Sequence, residues 1–420
     1  MKMASSLTIK AAPKLQKEVK LPASKSISGR ALITHALTRP DSLCREALHA
    51  AVGNLSDCDD TQVMIAALAD MPDEINIKAA GTAMRFLSAY LAVTPGTHTI
   101  TGTERMQHRP IGILVDALRQ LGADVSYVAT EGFPPLRITG KALEGGSIAL
   151  PADVSSQYIS ALLMIGPTLR TGLTLDLVGN IASRPYIDMT LAIMRYFGAT
   201  ADWTSDSSLR VEAGGYTPRP YYVESDWSAS SYWYEMVALT EDAAPEVILP
   251  GLFRESLQGD SQVQELFRPL GVETTFFTQA DGTEAVRLTR TAAPVAHLDL
   301  DLVNQPDLAQ TLVVTCAMLG TTFRFEGLSN LKIKETDRIA ALQTELGKLG
   351  YVLREEGDGT LVWDGTRCEP EPQPEIATYE DHRMAMAFAP VAMKLGSICI
   401  LNPEVVSKSY PTYWESFPKN

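Results

Sequence analysis

Glu335 lies between Lys334 and Arg338 in the stretch Asn330-Leu-Lys-Ile-Lys-Glu-Thr-Asp-Arg338. A carboxylate among cations can give or take a proton, its ionised form being favoured by those neighbours. On a helix the spacing would put Lys334 and Arg338 on one face; the competing reading is a solvated surface charge array. A second stretch, Ala23-Ser-Lys-Ser-Ile-Ser-Gly-Arg30, surrounds Lys25 and Arg30 with serines. Hydroxyls, a point charge and a planar guanidinium together suit phosphate or carboxylate, or else the serines only cap a helix. Ser155-Ser156-Gln157 taken alone reads as a cap, and so does Asp307 behind Pro306. Arg109 precedes a proline that stiffens the chain. His108 and His382 have no partner at metal-ligand spacing and read as structural or hydrogen-bonding residues.

Most of the chain's unusual residues, Lys25, Arg30, Ser155–Gln157, Asp307 and His382 among them, sit in six polar loops, each running straight into an apolar, helix-length stretch. The loops begin at Ala23, Ala80, Val154, Asp226, Asn304 and Asp381, roughly 57 to 78 residues apart, the mark of an internal repeat. Between them, Val115–Gly122, Leu191–Gly198, Val263–Gly271 and Leu342–Gly350 each read as an amphipathic helix closed by glycine. Strand pairs follow, such as Asp124–Val128 with Leu136–Thr139. An ordinary α/β chain with coincidental spacing is the weaker account. Free N–H groups at helix starts beside Ser, Thr, Lys and Arg suit a small polyanion.

Three units precede the Gly/Pro-rich stretch Gly214–Pro220 and three follow it, so the chain reads as two domains. Leu7–Ile9 and Glu18–Leu21 are strand-like and placed to complete the second. The net charge of −14 speaks against nucleic-acid binding. Against that background the cations Lys25, Arg30, Arg85, Arg109, Lys334, Arg338, Arg383 and Lys408, all in loops, read as recruited to a site. No apolar run approaches the ~20 residues of a membrane span, and the first residues lack a secretory signal pattern. Five scattered cysteines suggest neither a disulfide framework nor a zinc site. A reducing cytoplasm is expected.

Leu21-Pro-Ala-Ser-Lys-Ser-Ile-Ser-Gly-Arg30, Ala80-Gly-Thr-Ala-Met-Arg85, Arg109-Pro-Ile, Ser155-Ser-Gln157, Lys334-Glu-Thr-Asp-Arg338 and Asp381-His-Arg-Met-Ala-Met386 together resemble the EPSP synthase (3-phosphoshikimate 1-carboxyvinyltransferase) family. The likeness is collinear from about Leu21 to Lys408. It implies a two-domain inverted α/β barrel of six βαβαββ repeats, three per domain. The N-terminal domain would be residues 22–222, on the shikimate 3-phosphate side. The C-terminal domain would be 1–21 plus 223–420, carrying phosphoenolpyruvate contacts and the catalytic carboxylates. The implied reaction joins shikimate 3-phosphate and phosphoenolpyruvate with release of phosphate, in aromatic amino-acid biosynthesis, in a cytoplasmic monomer. No metal or organic cofactor and no nucleic-acid or membrane partner is implied.

Carried over by position, Lys25, Ser26, Arg30, Ser155, Ser156, Ser183, Tyr186, Asp307, Asn330 and Lys334 would bind shikimate 3-phosphate. Lys25, Gly81, Arg109, Gln157, Arg338, Arg383 and Lys408 would bind phosphoenolpyruvate. Asp307, Glu335 and Lys25 would be catalytic, Asp307 as base on the 5-hydroxyl and Glu335 as proton donor to the methylene carbon. The domains would close over the substrates, and the phosphonate glyphosate would compete with phosphoenolpyruvate. Two departures stand out: Ala79 where many members have Asn, and Phe86 where Pro is often found. The related UDP-N-acetylglucosamine enolpyruvyl transferases place a reactive Cys five residues before the Arg-Pro pair, where this chain has Glu104. A non-catalytic repeat scaffold, or a nucleic-acid-end processing protein of related repeat fold, is the reading from another class. The acidic balance and the carboxylate-plus-cation set disfavour it.

Overall fold

A computed structural model describes residues 5–39, 42–152 and 155–418; Asp153 and Val154, at the start of the third loop, lie outside the described residues. The chain forms two compact units, one from Ala23 to Glu224 and the other from the flanks, up to Pro22 and from Ser225 onward. The Gly/Pro-rich stretch Gly214–Pro220 lies a few residues before that boundary. It packs inside the first unit, where the Gly214 and Gly215 N–H groups donate to the Pro167 carbonyl at 3.1 and 2.8 Å.

In the unit 23–224, Glu74–Asn76 runs parallel to Gly96–Thr101, which pairs antiparallel with Leu136–Gly140 and, through it, with Asp124–Tyr127. The next copy repeats the order with Gly146–Pro151, Leu173–Val178, Ser208–Val211 and Ala201–Trp203. The third is reduced to Tyr221–Tyr222 beside Val52–Gly53. Alternation decides the faces. Leu173, Leu175 and Leu177 turn inward while Thr174 and Asp176 face outward, so a slip of one residue would invert the strand.

The other unit has two complete copies. One is Gln16–Glu18, Glu246–Pro250, Glu284–Arg290 and Val272–Thr278; the other is His297–Asp301, Thr322–Glu326, Thr360–Trp363 and Arg354–Glu356. Its third sheet has three strands, Glu375–Ile376, Ser397–Leu401 and Ser6–Lys10. The expected six copies are thus present, two of them shortened.

Each unit is built round three mutually packed helices: Lys25–Leu37, Gly81–Val93 and Ser156–Ile165 in one, Trp227–Leu239, Ala309–Leu319 and His382–Phe388 in the other. Almost every residue in them is buried, which their lack of a polar face requires. Their N-termini carry the six loops. The outer helices end on Gly122, Gly198, Gly271 and Gly350, all at φ near +90°, where a side chain would be strained. Val263–Gly271 is not one helix, as its pattern suggests, but a helix Val263–Phe267 followed by a 3-10 turn Arg268–Leu270. Pro269 has no N–H to continue the ladder.

Candidate active site

In the unit 23–224 the inner helices start on a lysine, a glycine and a serine. Ser24 caps the first helix by accepting from the Ile27 N–H at 3.4 Å, and Lys25 opens it with its ammonium 3.4 Å from Asp60. Asp60 is buried, so it fixes a charge that would otherwise sweep a wide arc. Gly81 opens the second helix, and a β-carbon there would lie 2.6 Å from Nη1 of Arg109. The missing side chain is what lets that guanidinium lie over the helix end. Ser155 caps the third helix through the Gln157 N–H, and the Gln157 side chain donates to Thr82 Oγ1 at 3.1 Å, tying the second and third starts together. Ser183, in the left-handed region at φ 57°, precedes the helix Arg184–Tyr196.

Arg30 is more enclosed than a ligand-binding cation needs to be. Nε donates to Thr190 Oγ1 at 2.7 Å, Nη1 to the Ser26 carbonyl at 3.0 Å, and Nη2 to Ser160 Oγ at 3.1 Å and the Tyr186 carbonyl at 3.2 Å. Its plane also lies over the Phe86 and Tyr186 rings, 5.3 and 5.8 Å from their centroids. Burial lowers its pKa to about 10, partly opposed by Tyr186, and it stays charged at neutrality. Phe86 therefore has a local role, as one face of the Arg30 stack. Arg85 ties the Gly81 and Pro110 carbonyls, at 3.2 and 3.0 Å, across the base of the Arg109 loop.

In the other unit an aspartate stands at each inner helix start: Asp226, Asp307 and Asp381. Asp226 and Asp381 are caps, accepting from the Ser228 and Arg383 N–H groups at 2.8 and 2.9 Å. Asp307 is not a cap, contrary to its local sequence. It lies in the 3-10 turn Pro306–Leu308, where its oxygens take Arg338 Nη1 at 3.3 Å and Arg383 Nη2 at 2.7 Å. Arg338, 1% exposed, is the hub. It also donates from Nε to Asp381 at 2.7 Å and from Nη2 to Glu335 at 3.0 Å. Burial alone would lower its pKa, but Asp381, Glu335 and Asp307 outweigh burial and the net shift is upward. Glu335 in turn accepts from the Lys408 ammonium at 2.5 Å. Arg383 is also buried and donates to the Tyr232 hydroxyl at 3.4 Å; burial pushes that hydroxyl's pKa up to about 12, against the pull of Arg383.

Lys334 and Arg338 do not share a helical face: Lys334 follows the 3-10 turn Ser329–Ile333, and the helix Arg338–Lys348 starts four residues later, capped by Asp337. Asn330, in that turn, has a buried Oδ1 without a hydrogen-bond partner, an acceptor left over for a ligand. His108 is exposed and its ring Nδ1 lies 2.8 Å from the Glu104 carbonyl. Sequence reasoning missed Asp60 and Asp381. Both follow helix-start signals, and nothing in such a signal says that the carboxylate also holds a distant cation.

The family model for EPSP synthase (3-phosphoshikimate 1-carboxyvinyltransferase) matches residues 9–417. The chain is 57% identical over 412 residues to a 3-phosphoshikimate 1-carboxyvinyltransferase of Bacteroides fragilis, covering 98% of this chain and 97% of that one. It is 35% identical to one of Shewanella halifaxensis, covering 96% of each. A solved EPSP synthase from Acinetobacter baumannii shares the fold at a TM-score of 0.76 and 21% identity, covering 99% of this chain and 98% of that one.

Proposed function

The chain belongs to the EPSP synthase (3-phosphoshikimate 1-carboxyvinyltransferase) family, and from that premise we infer that it transfers the enolpyruvyl group of phosphoenolpyruvate to the 5-hydroxyl of shikimate 3-phosphate. The products are 5-enolpyruvylshikimate 3-phosphate and phosphate, a step of the shikimate pathway. The observation that carries this reading is the Arg338 hub, which holds Asp307 and Glu335 on one guanidinium with Lys408 and Arg383 beside them.

In this reading Asp307 takes the proton of the 5-hydroxyl as its oxygen bonds to C2 of phosphoenolpyruvate, and Glu335 gives a proton to C3. The tetrahedral adduct then loses phosphate as a C3 proton leaves and the double bond re-forms. Shikimate 3-phosphate is held by Lys25, Ser26, Arg30, Ser155, Ser156, Ser183, Tyr186, Asp307, Asn330 and Lys334. Phosphoenolpyruvate is held by Lys25, Gly81, Arg109, Gln157, Arg338, Arg383 and Lys408. Preset cations facing the charge that develops on the carboxylate and phosphate do most of the work. The enclosure of Arg30 gives it a share in orienting Tyr186 as much as in binding. The first unit corresponds to the shikimate 3-phosphate domain and the second to the catalytic one. The enzyme acts as a cytoplasmic monomer without metal or organic cofactor, as membership implies.

Turnover measured with phosphoenolpyruvate and either shikimate 3-phosphate or a UDP-sugar acceptor tests the assignment. Phosphate release with the first alone is expected; release only with the UDP-sugar would overturn it. Position 104, an exposed glutamate opening the short helix Glu104–Gln107, offers no thiol for the UDP-sugar chemistry.

A further inference from the structure

One buried carboxylate beside the hub has no part in the chemistry above. The turn Gly259–Gln262 is clasped to the start of the helix Trp227–Leu239: Gln258 accepts from the Trp227 N–H at 3.0 Å and donates to the Ser225 carbonyl at 2.8 Å. From the same helix end, Ser228 Oγ donates to Oδ2 of Asp260. Asp260 is 2% exposed, and its Oδ1 is buried with no hydrogen-bond partner. An ionised carboxylate needs its acceptor sites filled when it is taken out of water, so a bare buried oxygen marks a group that can carry a proton.

Asp307, Asp226 and Arg383 are the leading charged groups acting on Asp260. Asp307, from the turn Pro306–Leu308, and Asp226, from the cap of the Ser228 helix, oppose its ionisation; Arg383, from the helix His382–Phe388, favours it. Burial first and Asp307 second push the Asp260 carboxyl up to about 7, against the Ser228 bond and Arg383. Both turns pack on the helix Trp227–Leu239, and Ser231 on that helix lies 3.1 Å from Thr311, just past Asp307, which sets the two carboxylates in a fixed frame.

We propose that Asp260 is a positioning residue for Asp307: held in the same frame, its charge state sets how readily the Asp307 carboxylate accepts a proton. The proposal rests on the reading of Asp307 as the base. While Asp260 carries a proton, Asp307 meets Arg383 at 2.7 Å and Arg338 at 3.3 Å with no negative charge on Asp260 to oppose its own. When Asp260 ionises, its like charge opposes the ionised form of Asp307, and the proton affinity of Asp307 rises. The protein would then switch, near neutral pH, from a weaker to a stronger base at the same position.

Two measurements test this on the full-length protein. In carboxyl-carbon NMR, the wild type should show an aspartate titrating near neutral pH that is missing in Asp260→Asn. In Asp307→Asn its midpoint should move down toward the ordinary carboxylate range, because the like charge is gone. In single turnovers with both substrates saturating, the wild-type rate should rise through an inflection near neutral pH. Asp260→Asn should lose that inflection and run about 10-fold slower at pH 8 while differing little at pH 6. Ser228→Ala, which removes only the donor to Oδ2, should move the inflection to higher pH, and it serves if Asp260→Asn does not fold. A midpoint that ignores Asp307→Asn, or an inflection that survives in Asp260→Asn, would overturn the proposal. Normal turnover in Asp307→Asn would instead overturn the base assignment, and the titration would still report whether the two carboxylates are coupled.

Discussion

Gly81 and Asp307 show how one atom or one neighbour decides a role. An added methyl at Gly81 would press on the Arg109 guanidinium at 2.6 Å. Arg109 is the far end of a flexible side chain, so Gly81→Ala should fold normally and displace the cation instead. Overpacking of this kind costs about 1–3 kcal/mol, or roughly 5- to 150-fold in affinity. Inhibition by glyphosate should weaken by that factor, with a rise in KM for phosphoenolpyruvate; equal inhibition constants in the two forms would refute it. For Asp307, a cap would lose about 1 kcal/mol on conversion to alanine and keep its turnover. Because its carboxylate instead meets two arginines, Asp307→Ala should lose roughly 10²–10⁴-fold in single-turnover rate with a cooperative melt retained. The cations of the site were legible in sequence because Lys and Arg are conspicuous in an acidic chain. What holds them was not, since Asp60, Asp260 and Asp381 look like helix-start residues until the fold brings a cation or a second carboxylate to them.

The inner helices set a second kind of test. Glu235 lies midway along Trp227–Leu239, fully buried, with neither carboxylate oxygen hydrogen-bonded. Burial raises its pKa well above 4.5, with the Thr315 hydroxyl acting in the opposite sense. A carboxyl whose folded pKa is raised contributes its stability fully below the unfolded value near 4.5 and loses it as pH rises toward the folded value. Relative to Glu235→Gln, the wild type should therefore lose up to about 1.4 kcal/mol of unfolding free energy per pH unit over that window. Urea melts of both forms at pH 5 and pH 8 check the sign, and a constant difference between them would contradict it. The helices themselves were readable as apolar runs with a capping residue in front, and the outer ones by their closing glycines. Two things were not readable. Pro269 breaks a pattern that is otherwise helical, and the two shortened sheets lack strands that the repeat would lead one to expect.

The whole chain is one unit inserted into another. Ser24 N–H donates to the Glu224 carbonyl at 2.8 Å, so the insert's two ends are hydrogen-bonded to each other. A fragment of residues 23–224 should melt cooperatively on its own. The remainder depends on residues 5–22, which bury Ile9, Leu15, Val19 and Leu21 and supply strands to two of its sheets. Each such side chain contributes about 1.5–3 kcal/mol, and a typical domain is stable by only about 5–15 kcal/mol. Residues 225–420 alone should fail to fold, and a peptide of residues 1–22 added in trans should restore the melt. Failure of rescue would place the dependence elsewhere.

Ser6 pairs with Leu401, so this strand leaves the ribosome long before the partner it needs. At usual elongation rates it waits roughly 20 to 80 seconds while the insert folds without it. A bare strand kept that long invites pairing with other nascent chains. The segment carries its own deterrents: Lys10, Lys14, Lys17 and Lys20 recur along it, and Pro13 cannot donate to a ladder. Its polarity is suited to the wait as much as to the sheet it finally joins.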